Sequence, residues 1–588
     1  MRYGFVIDQR KCIGCHACTT ACKSEHQVPL GVFRTWVKSV EKGSFPNTRR
    51  HFLVERCNHC ENAPCVKICP TKALYKRPDG IVDFNRDSCI GCKSCMEACP
   101  YEALYIDPAT DTAAKCNYCA HRVEAGLQPA CVVVCPEQAI ISGDLEDPTS
   151  KIAQLIGREN VQVRKPEKGT KPQLFYIGAD QTAVNPEATA SSIGYMWSQP
   201  NTHLHGRETP PVPVAPAYRP LNFAEMLTTT VEAPAGAGSA DGGGEYDYPT
   251  MPPPKGRTLI PLAEVKTTTG QVRAASVPSA APSPHLSVAA GLLSSGTDAQ
   301  VNYNISHERP WGFLVALYLW TKSIGAGAFM ILALALGFGL ASDTLLFNWL
   351  APVVGLVFIA LTTALLVLDL RHPERFHYIL LRSNWTSWLV LGAYILMAYS
   401  AVMGLWLLER LLGWTGLESI LLWPGVILAI MAAGYSAFLF GQAKGRDFWQ
   451  SPLLAPHLLI QATLGGSGVL LILGFITGTN STALGLLVWT LLAAIVANLT
   501  VVLSELFVPH VNNHATRAAH VLRSGRLSQT FWWGFILVGA LIPLGLLITS
   551  LLLSTSALPA ALGALLAVAG LLIYERIWII AGQEVPLS

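Results

Sequence analysis

All 16 cysteines of this 588-residue chain fall between Cys12 and Cys135, and none follows. They form four groups of four. Cys12, Cys15, Cys18 and Cys22 have CxxCxxCxxxC spacing, and so do Cys89, Cys92, Cys95 and Cys99. Cys57, Cys60, Cys65 and Cys69 have one wider gap. Cys116, Cys119, Cys131 and Cys135 are opened by an insertion of 11 residues. Three groups end in Cys-Pro, at Pro70, Pro100 and Pro136.

This spacing has a chemical reading. A CxxCxxC loop folds back so that three thiolates face one cubane, and the fourth cysteine, before Pro, reaches the neighbouring cluster. Sixteen thiolates therefore suit four [4Fe–4S] clusters. Crossing applied between groups puts Cys57, Cys60 and Cys65 with Cys99, and Cys89, Cys92 and Cys95 with Cys69. Disulfides at this density would be strained. Structural zinc takes CxxC pairs in twos and leaves the third cysteine of each CxxCxxC over. Four clusters in one stretch serve as a wire for single electrons.

Hydrophobic residues make up 51% of the chain, yet its first 300 residues are polar, so the apolar surplus sits in the second half. A net charge of +3 is too small to point to nucleic acid. Reduced thiols fit assembly in the cytoplasm. The opening MRYGFVIDQRKC has neither an apolar h-region nor a twin arginine, so export is not expected.

Residues 1–203 read as one α+β, ferredoxin-like domain, with strand-like pieces at Tyr3–Ile7, His51–Val54 and Ile81–Phe84 and a short helix after each cysteine loop. A further strand-like run, Leu174–Ile177, reads as a tail on that domain. Residues 204–304 are rich in Pro, Ala, Gly and Ser and read as a linker. As a flexible coil it would span about 50–60 Å. Residues 305–588 read as an all-α polytopic membrane domain. Eight apolar blocks long enough to cross a bilayer lie near 311–341, 349–370, 385–408, 419–441, 453–476, 484–507, 530–553 and 557–581. Their glycines, Gly325, Gly327, Gly465, Gly466 and Gly468 among them, suit closely packed membrane helices.

With eight spans both termini share a side. Loops on that side carry Arg371, Arg375, Arg382, Lys444, Arg446, Arg517, Arg523 and Arg526, whereas the opposite loops carry Arg410. The asymmetry places the cysteine domain on the cytoplasmic side of the inner membrane. His372, His377, His457, His510, His514 and His520 lie in loops or at helix ends, so no intramembrane haem b is expected. Ionisable residues within spans are costly and mark functional sites. They include Lys322, about 16 Å into the first block at the helical rise, with Asp369, Glu505 and Glu575 near the cytoplasmic ends. Asp369 also reads as a structural pair with Arg371 and Arg375.

The cysteine groups resemble the iron–sulfur subunits of molybdopterin oxidoreductases of the dimethyl sulfoxide reductase superfamily. PWGFLVALYLWTKSIGAGAF (310–329) and DLRHPERFHYILLRSNWTSWLVLGAY (369–394) resemble the NrfD/polysulfide reductase membrane anchor. Those parts are normally separate chains and here look fused. The resemblance implies the outer pairing: Cys12, Cys15 and Cys18 with Cys135, and Cys116, Cys119 and Cys131 with Cys22. It also implies quinone exchange near the clusters, with Tyr318 in the position of a polar residue of the first helix. The expected role is the electron-transfer and membrane-anchor subunit of a quinone-linked oxidoreductase. Its molybdopterin-containing catalytic subunit is a separate chain, and Tyr318, Asp369, Lys322, Arg371, Glu505 and Glu575 are the candidates for quinone and proton chemistry. One rival is a subunit of a redox-driven proton-translocating complex. Another is a membrane ferredoxin–quinone oxidoreductase.

Overall fold

The structure is a computed structural model, described for residues 1–43, 45–189, 299–339, 345–414, 416–510, 512–553 and 557–588. Most of the linker expected at 204–304 lies outside these residues. The cysteine-bearing part and the helical part belong to one compact unit.

The described strands are β1 (Tyr3–Asp8), β2 (Thr35–Lys42), β3 (Arg49–Arg56), β4 (Leu74–Lys76), β5 (Val82–Phe84), β6 (Leu104–Asp107), β7 (Thr112–Lys115), β8 (Ile140–Asp144), β9 (Val161–Gln162), β10 (Leu174–Ile177) and β11 (Ala299–Tyr303). One sheet has the order β8-β1-β10-β9. In it β10 runs parallel to β1, with Phe5 opposite Leu174. The run Leu174–Ile177, expected as a tail, is thus an interior strand, because Leu174 and Tyr176 supply buried side chains to the core around Phe5 and Ile7. A second sheet, β11-β2-β3, takes its edge strand from Ala299–Tyr303, the end of the stretch read as linker. Alternation places Ala299 and Val301 inward, and two apolar side chains on one face suffice to seat a short edge strand.

The hairpins β4–β5 and β6–β7 join the second cysteine group to the third and the third to the fourth. Short helices accompany the groups, at Ala17–His26, Pro64–Ile68, Ser94–Ala98, Ala120–Glu124 and Ala130–Val133. Left-handed backbone at Gly14 and His16, and again at Gly91 and Lys93, turns the first and third CxxCxxC loops inward. Gly91 could not be replaced freely, since a Cβ there would overlap the side chain of Arg371 as well.

Among the described residues eight helices are long and apolar enough to span a membrane: Phe313–Gly337, Leu346–Leu368, Trp388–Leu412, Leu417–Gln442, Leu454–Thr477, Ser481–Phe507, Thr530–Leu552 and Leu558–Glu584. The first, fifth and eighth are the central ones, with 72%, 56% and 61% of their apolar windows buried against 33% for the third and seventh. Small residues permit this packing. A Cβ on Gly327 would overlap the Ala462 carbonyl, and one on Gly466 would overlap the Gly327 backbone. Gly539 and Gly570 bring the seventh and eighth spans equally close.

Three segments of the helical part hold the cysteine domain. Between the second and third spans, Arg375 Nη1 donates to the Cys89 carbonyl at 3.0 Å. In the same connection Asn384 Nδ2 donates to that of Cys69 at 2.8 Å, and Ser387 Oγ to that of Ile68 at 2.7 Å. After the fourth span, the Gly445 amide donates to the Glu97 carbonyl and Arg446 pairs with the Glu97 carboxylate at 2.6 Å. After the eighth span, the Leu587 carbonyl accepts from Arg164 at 3.1 Å and Ser588 Oγ bonds Glu102 at 2.9 Å.

Candidate functional site

Folding brings the cysteines into four mixed sets. Cys12, Cys15, Cys18 and Cys135 line one small cavity, and Cys69, Cys89, Cys92 and Cys95 line another. Cys65 and Cys60 lie within electrostatic reach of Cys57 and Cys99, and Cys22 within reach of Cys116, Cys119 and Cys131. Each set takes three thiols from one group and one from another, the arrangement expected from spacing for the inner groups and from resemblance for the outer ones.

The sets follow one another in a line. Cys18 faces Cys131 of the next set. Cys116 of that set faces Cys57, and Cys65 faces Cys95 of the last. Burial pushes the thiols of Cys65 and Cys95 well above their ordinary range, and that of Cys92 to about 12. Protonated thiols crowded in fours are poor core material. Coordination to a metal deprotonates such thiols outright. The donor chemistry therefore fits iron–sulfur clusters. Among the described residues no three metal-binding side chains converge on a single point, and the cysteines ring wider spaces.

The last set opens on the membrane part. A cavity of about 830 Å³ is walled by Cys92 and Ser94 on one side and by Tyr318, Asp369 and Tyr435 on the other. Apart from Thr363 and Ser400 the rest of its lining is apolar, mainly from the first four spans and the short helix Tyr378–Leu381. Phe376, Leu368 and Met397 belong to that lining and are also exposed on the outside of the helical bundle, so the cavity communicates with the surface that faces lipid.

Of the six candidates for quinone and proton chemistry, the structure brings Tyr318 and Asp369 to this cavity. Asp369 pairs with Lys93 of the third cysteine loop at 3.0 Å rather than with Arg371 or Arg375. Burial pushes its carboxyl upward, against the pull of Lys93. Arg371 packs its stem on Gly91 and reaches toward Asp111 at 3.9 Å. Lys322 lies deeper, donating to the Ala433 carbonyl and Ser436 Oγ, each at 2.8 Å. Glu575 is buried within electrostatic reach of Lys322, and neither of its oxygens has a hydrogen-bond partner among the described residues. Glu505 accepts from Ser451 Oγ at 2.6 Å and lies 3.8 Å from His457 Nδ1.

Lys93, Ser94 and Tyr435 escaped the reading of the sequence, since nothing local distinguishes them. His457 was set aside as lying at a helix end. It does lie in the first turn of the fifth span, but its Nε2 meets Asn498 Oδ1 of the sixth at 2.9 Å, in a fully buried polar cluster. A histidine four residues before Gln461 on one helix face was the available signal.

Two overlapping cysteine modules on an eight-span bundle define an iron–sulfur electron-transfer subunit with a membrane anchor. Residues 11–74 and 48–145 each match a 4Fe-4S dicluster domain, and residues 301–586 match the polysulphide reductase NrfD family. The chain is 47% identical over 189 residues to a subunit of the tetrathionate reductase of Salmonella typhimurium, covering 76% of that protein. It is 44% identical over 179 residues to a component of the polysulfide reductase of Wolinella succinogenes, covering 94%. It is 37% identical over 225 residues to the iron–sulfur subunit of the arsenate respiratory reductase of a Shewanella species, covering 96%. These matches take up 32%, 30% and 30% of the present chain. The chain belongs to this family of iron–sulfur subunits of reductases, and carries an NrfD-type membrane part on the same polypeptide.

Proposed function

We propose that this chain relays electrons through four [4Fe–4S] clusters between a separate molybdopterin-containing catalytic subunit and the membrane quinone pool. The ligand sets are the four mixed groups of cysteines. When bound, each cluster supplies a site that gains and loses one electron. The observation that carries the proposal is the shared wall: Cys92, of the last set, lines the same cavity as Tyr318 and Asp369.

The chain's own residues divide the work. The apolar lining of the cavity accepts a quinone and its isoprenoid tail, which enter between the exposed Leu368 and Met397. The Tyr318 hydroxyl offers a hydrogen bond to a quinone oxygen. Asp369 exchanges protons there, and Lys93 fixes its carboxylate toward the cluster domain. Packing of the 369–387 connection on the cysteine loops keeps water from the space between. The arginine-rich loops lie on the side of the cysteine domain, which supports a cytoplasmic position for that domain at the inner membrane. The fused architecture supports a cysteine domain near 1–203 and a membrane domain near 305–588, with Ala299–Tyr303 of the stretch between them paired on β2.

The test is Tyr318→Phe and Asp369→Asn. Losing a hydrogen bond to the reacting group while its partner stays buried costs about 1–3 kcal/mol. Quinone turnover should therefore fall about tenfold or more, while iron content and turnover with an artificial dye survive. Normal quinone turnover in both variants overturns the assignment, and an equal fall with the dye makes the residues structural.

Buried Lys322 and Glu575 favour a second reading, in which the chain belongs to a proton-translocating complex. Against it, beyond Lys322 and the adjacent buried Ser323 the first span contributes apolar side chains to the core, from Ala326 and Phe329 to Leu332 and Ala335. Proton release on the far side of sealed vesicles during turnover, abolished by Glu575→Gln, would select that reading.

A further inference from the structure

Arg56 ends β3, directly before the second cysteine group, and belongs to no cavity or candidate named above. The residue is 1% exposed. Nη1 donates to Cys131 Sγ at 3.0 Å, and the guanidinium lies over the Phe5 ring, 4.6 Å from its centre. Nε and Nη2 are buried with no hydrogen-bond partner among the described residues. The neighbouring carboxylate, Glu55, turns to the other face of the strand and pairs with Arg164 at 2.7 Å. The sulfurs of Cys131, Cys116 and Cys18 lie within electrostatic reach of the guanidinium. Cys18 belongs to one outer set, and Cys116 and Cys131 belong to the other.

A buried cation without a counter-ion is strongly destabilising. Two orphaned N–H groups beside it add to that cost. Both features are relieved if cluster sulfur occupies the space in front of the guanidinium, as an acceptor and as a negative charge. Reduction adds one negative charge to a cluster, so a fixed cation and N–H donors at its sulfurs stabilise the reduced form.

We propose that Arg56 is a positioning residue shared by the two outer clusters, raising their reduction potentials. This rests on the reading that the cysteine sets hold clusters. The cations beside the inner sets are engaged by other groups, although Lys115 stays within electrostatic reach of Cys65. Arg446 is neutralised by Glu97 at 2.6 Å and faces Glu102 at 3.6 Å, and the Lys115 ammonium is turned to the carbonyls of Val82 and Cys116. In a partly reduced chain Arg56 then favours electrons at the end remote from the quinone cavity.

The experiment is a redox titration of the purified full-length protein followed by electron paramagnetic resonance, with Arg56→Gln and Arg56→Lys. The outer signals are assigned beforehand with Cys22→Ser and Cys135→Ser. In Arg56→Gln the equilibrium constant for reducing the outer pair should fall at least tenfold, about 59 mV for one electron, with the inner pair unmoved. Arg56→Lys, which keeps the charge and loses the fork, should shift the outer pair less. Unchanged outer potentials in a fully loaded Gln variant overturn the proposal, as does an equal shift of all four clusters. If Arg56→Gln fails to load, Arg56→Lys decides: an outer-pair shift supports the role, and native potentials reduce Arg56 to a fold-holding residue. Iron well short of four clusters in the native protein would instead sink the cluster reading itself.

Discussion

Replacing Arg446 by Met tests how the electron-carrying domain is fastened to the membrane helices. Arg446 Nε bonds Glu97 Oε2 at 2.6 Å, Nη2 lies 3.6 Å from Glu102, and Nη1 donates to the Val585 carbonyl at 3.1 Å. The side chains of Arg446 and Glu97 are 4% and 0% exposed, so solvent does not screen the pair. Removing one partner of a buried pair costs about 3–5 kcal/mol, because the other charge is left uncompensated. Met fills the volume of the arginine stem, so the loss reports the charge and not a cavity. Glu97→Gln should restore more than half of the loss in the double variant, since replacing both partners of a buried pair is often close to neutral. The assay is the thermal midpoint for loss of the visible cluster absorbance in detergent, read beside quinone and dye turnover. The midpoint should fall in Arg446→Met, and quinone turnover should fall more than dye turnover, because the last cysteine set moves relative to the cavity. Additive losses in the double variant would refute the reasoning, as would equal falls with quinone and dye.

Three further outcomes are expected. Metal analysis of the intact protein should give about sixteen irons and as many acid-labile sulfides; iron near eight, or stoichiometric zinc, contradicts four cubanes. In intact cells an impermeant thiol reagent should label Trp414→Cys, in the exposed connection after the third span, and reach Glu374→Cys only after lysis; the reverse pattern would invert the orientation. Burial pushes the Glu102 carboxyl up, but His307, Arg446, Lys165 and the Ser588 hydroxyl outweigh it and hold it down to about 2. A carboxylate depressed in the folded state adds stability above its ordinary range, near pH 4.3. That stability, about 3 kcal/mol, is lost as pH falls from there toward 2. Glu102→Gln should therefore lower the midpoint at pH 7 and flatten its acid limb; a limb as steep as the native one would show that Glu102 does not carry it.

The sequence alone determined the elements whose physics is local. Thiols at CxxCxxC spacing converge whatever surrounds them, so cysteine loops and cluster chemistry were legible without the fold. A run of about twenty apolar residues must span as a helix because its backbone has no other partners in lipid, so the spans were legible to within a few residues. Tertiary structure decided what depends on which distant segments meet. Leu174–Ile177 became an interior strand because β1 offers it an edge, and Ala299–Tyr303 left the linker to pair with β2. Neither outcome is written in the segment itself, since strand pairing is a property of two partners. The same holds for the site. Asp369 was visible as a costly residue at a helix end, but its partner is Lys93, 276 positions away. Arg56 reads as an ordinary strand residue until folding closes the first and fourth cysteine groups around it. Burial and counter-charge arise only in the folded chain, and they alone make these side chains consequential.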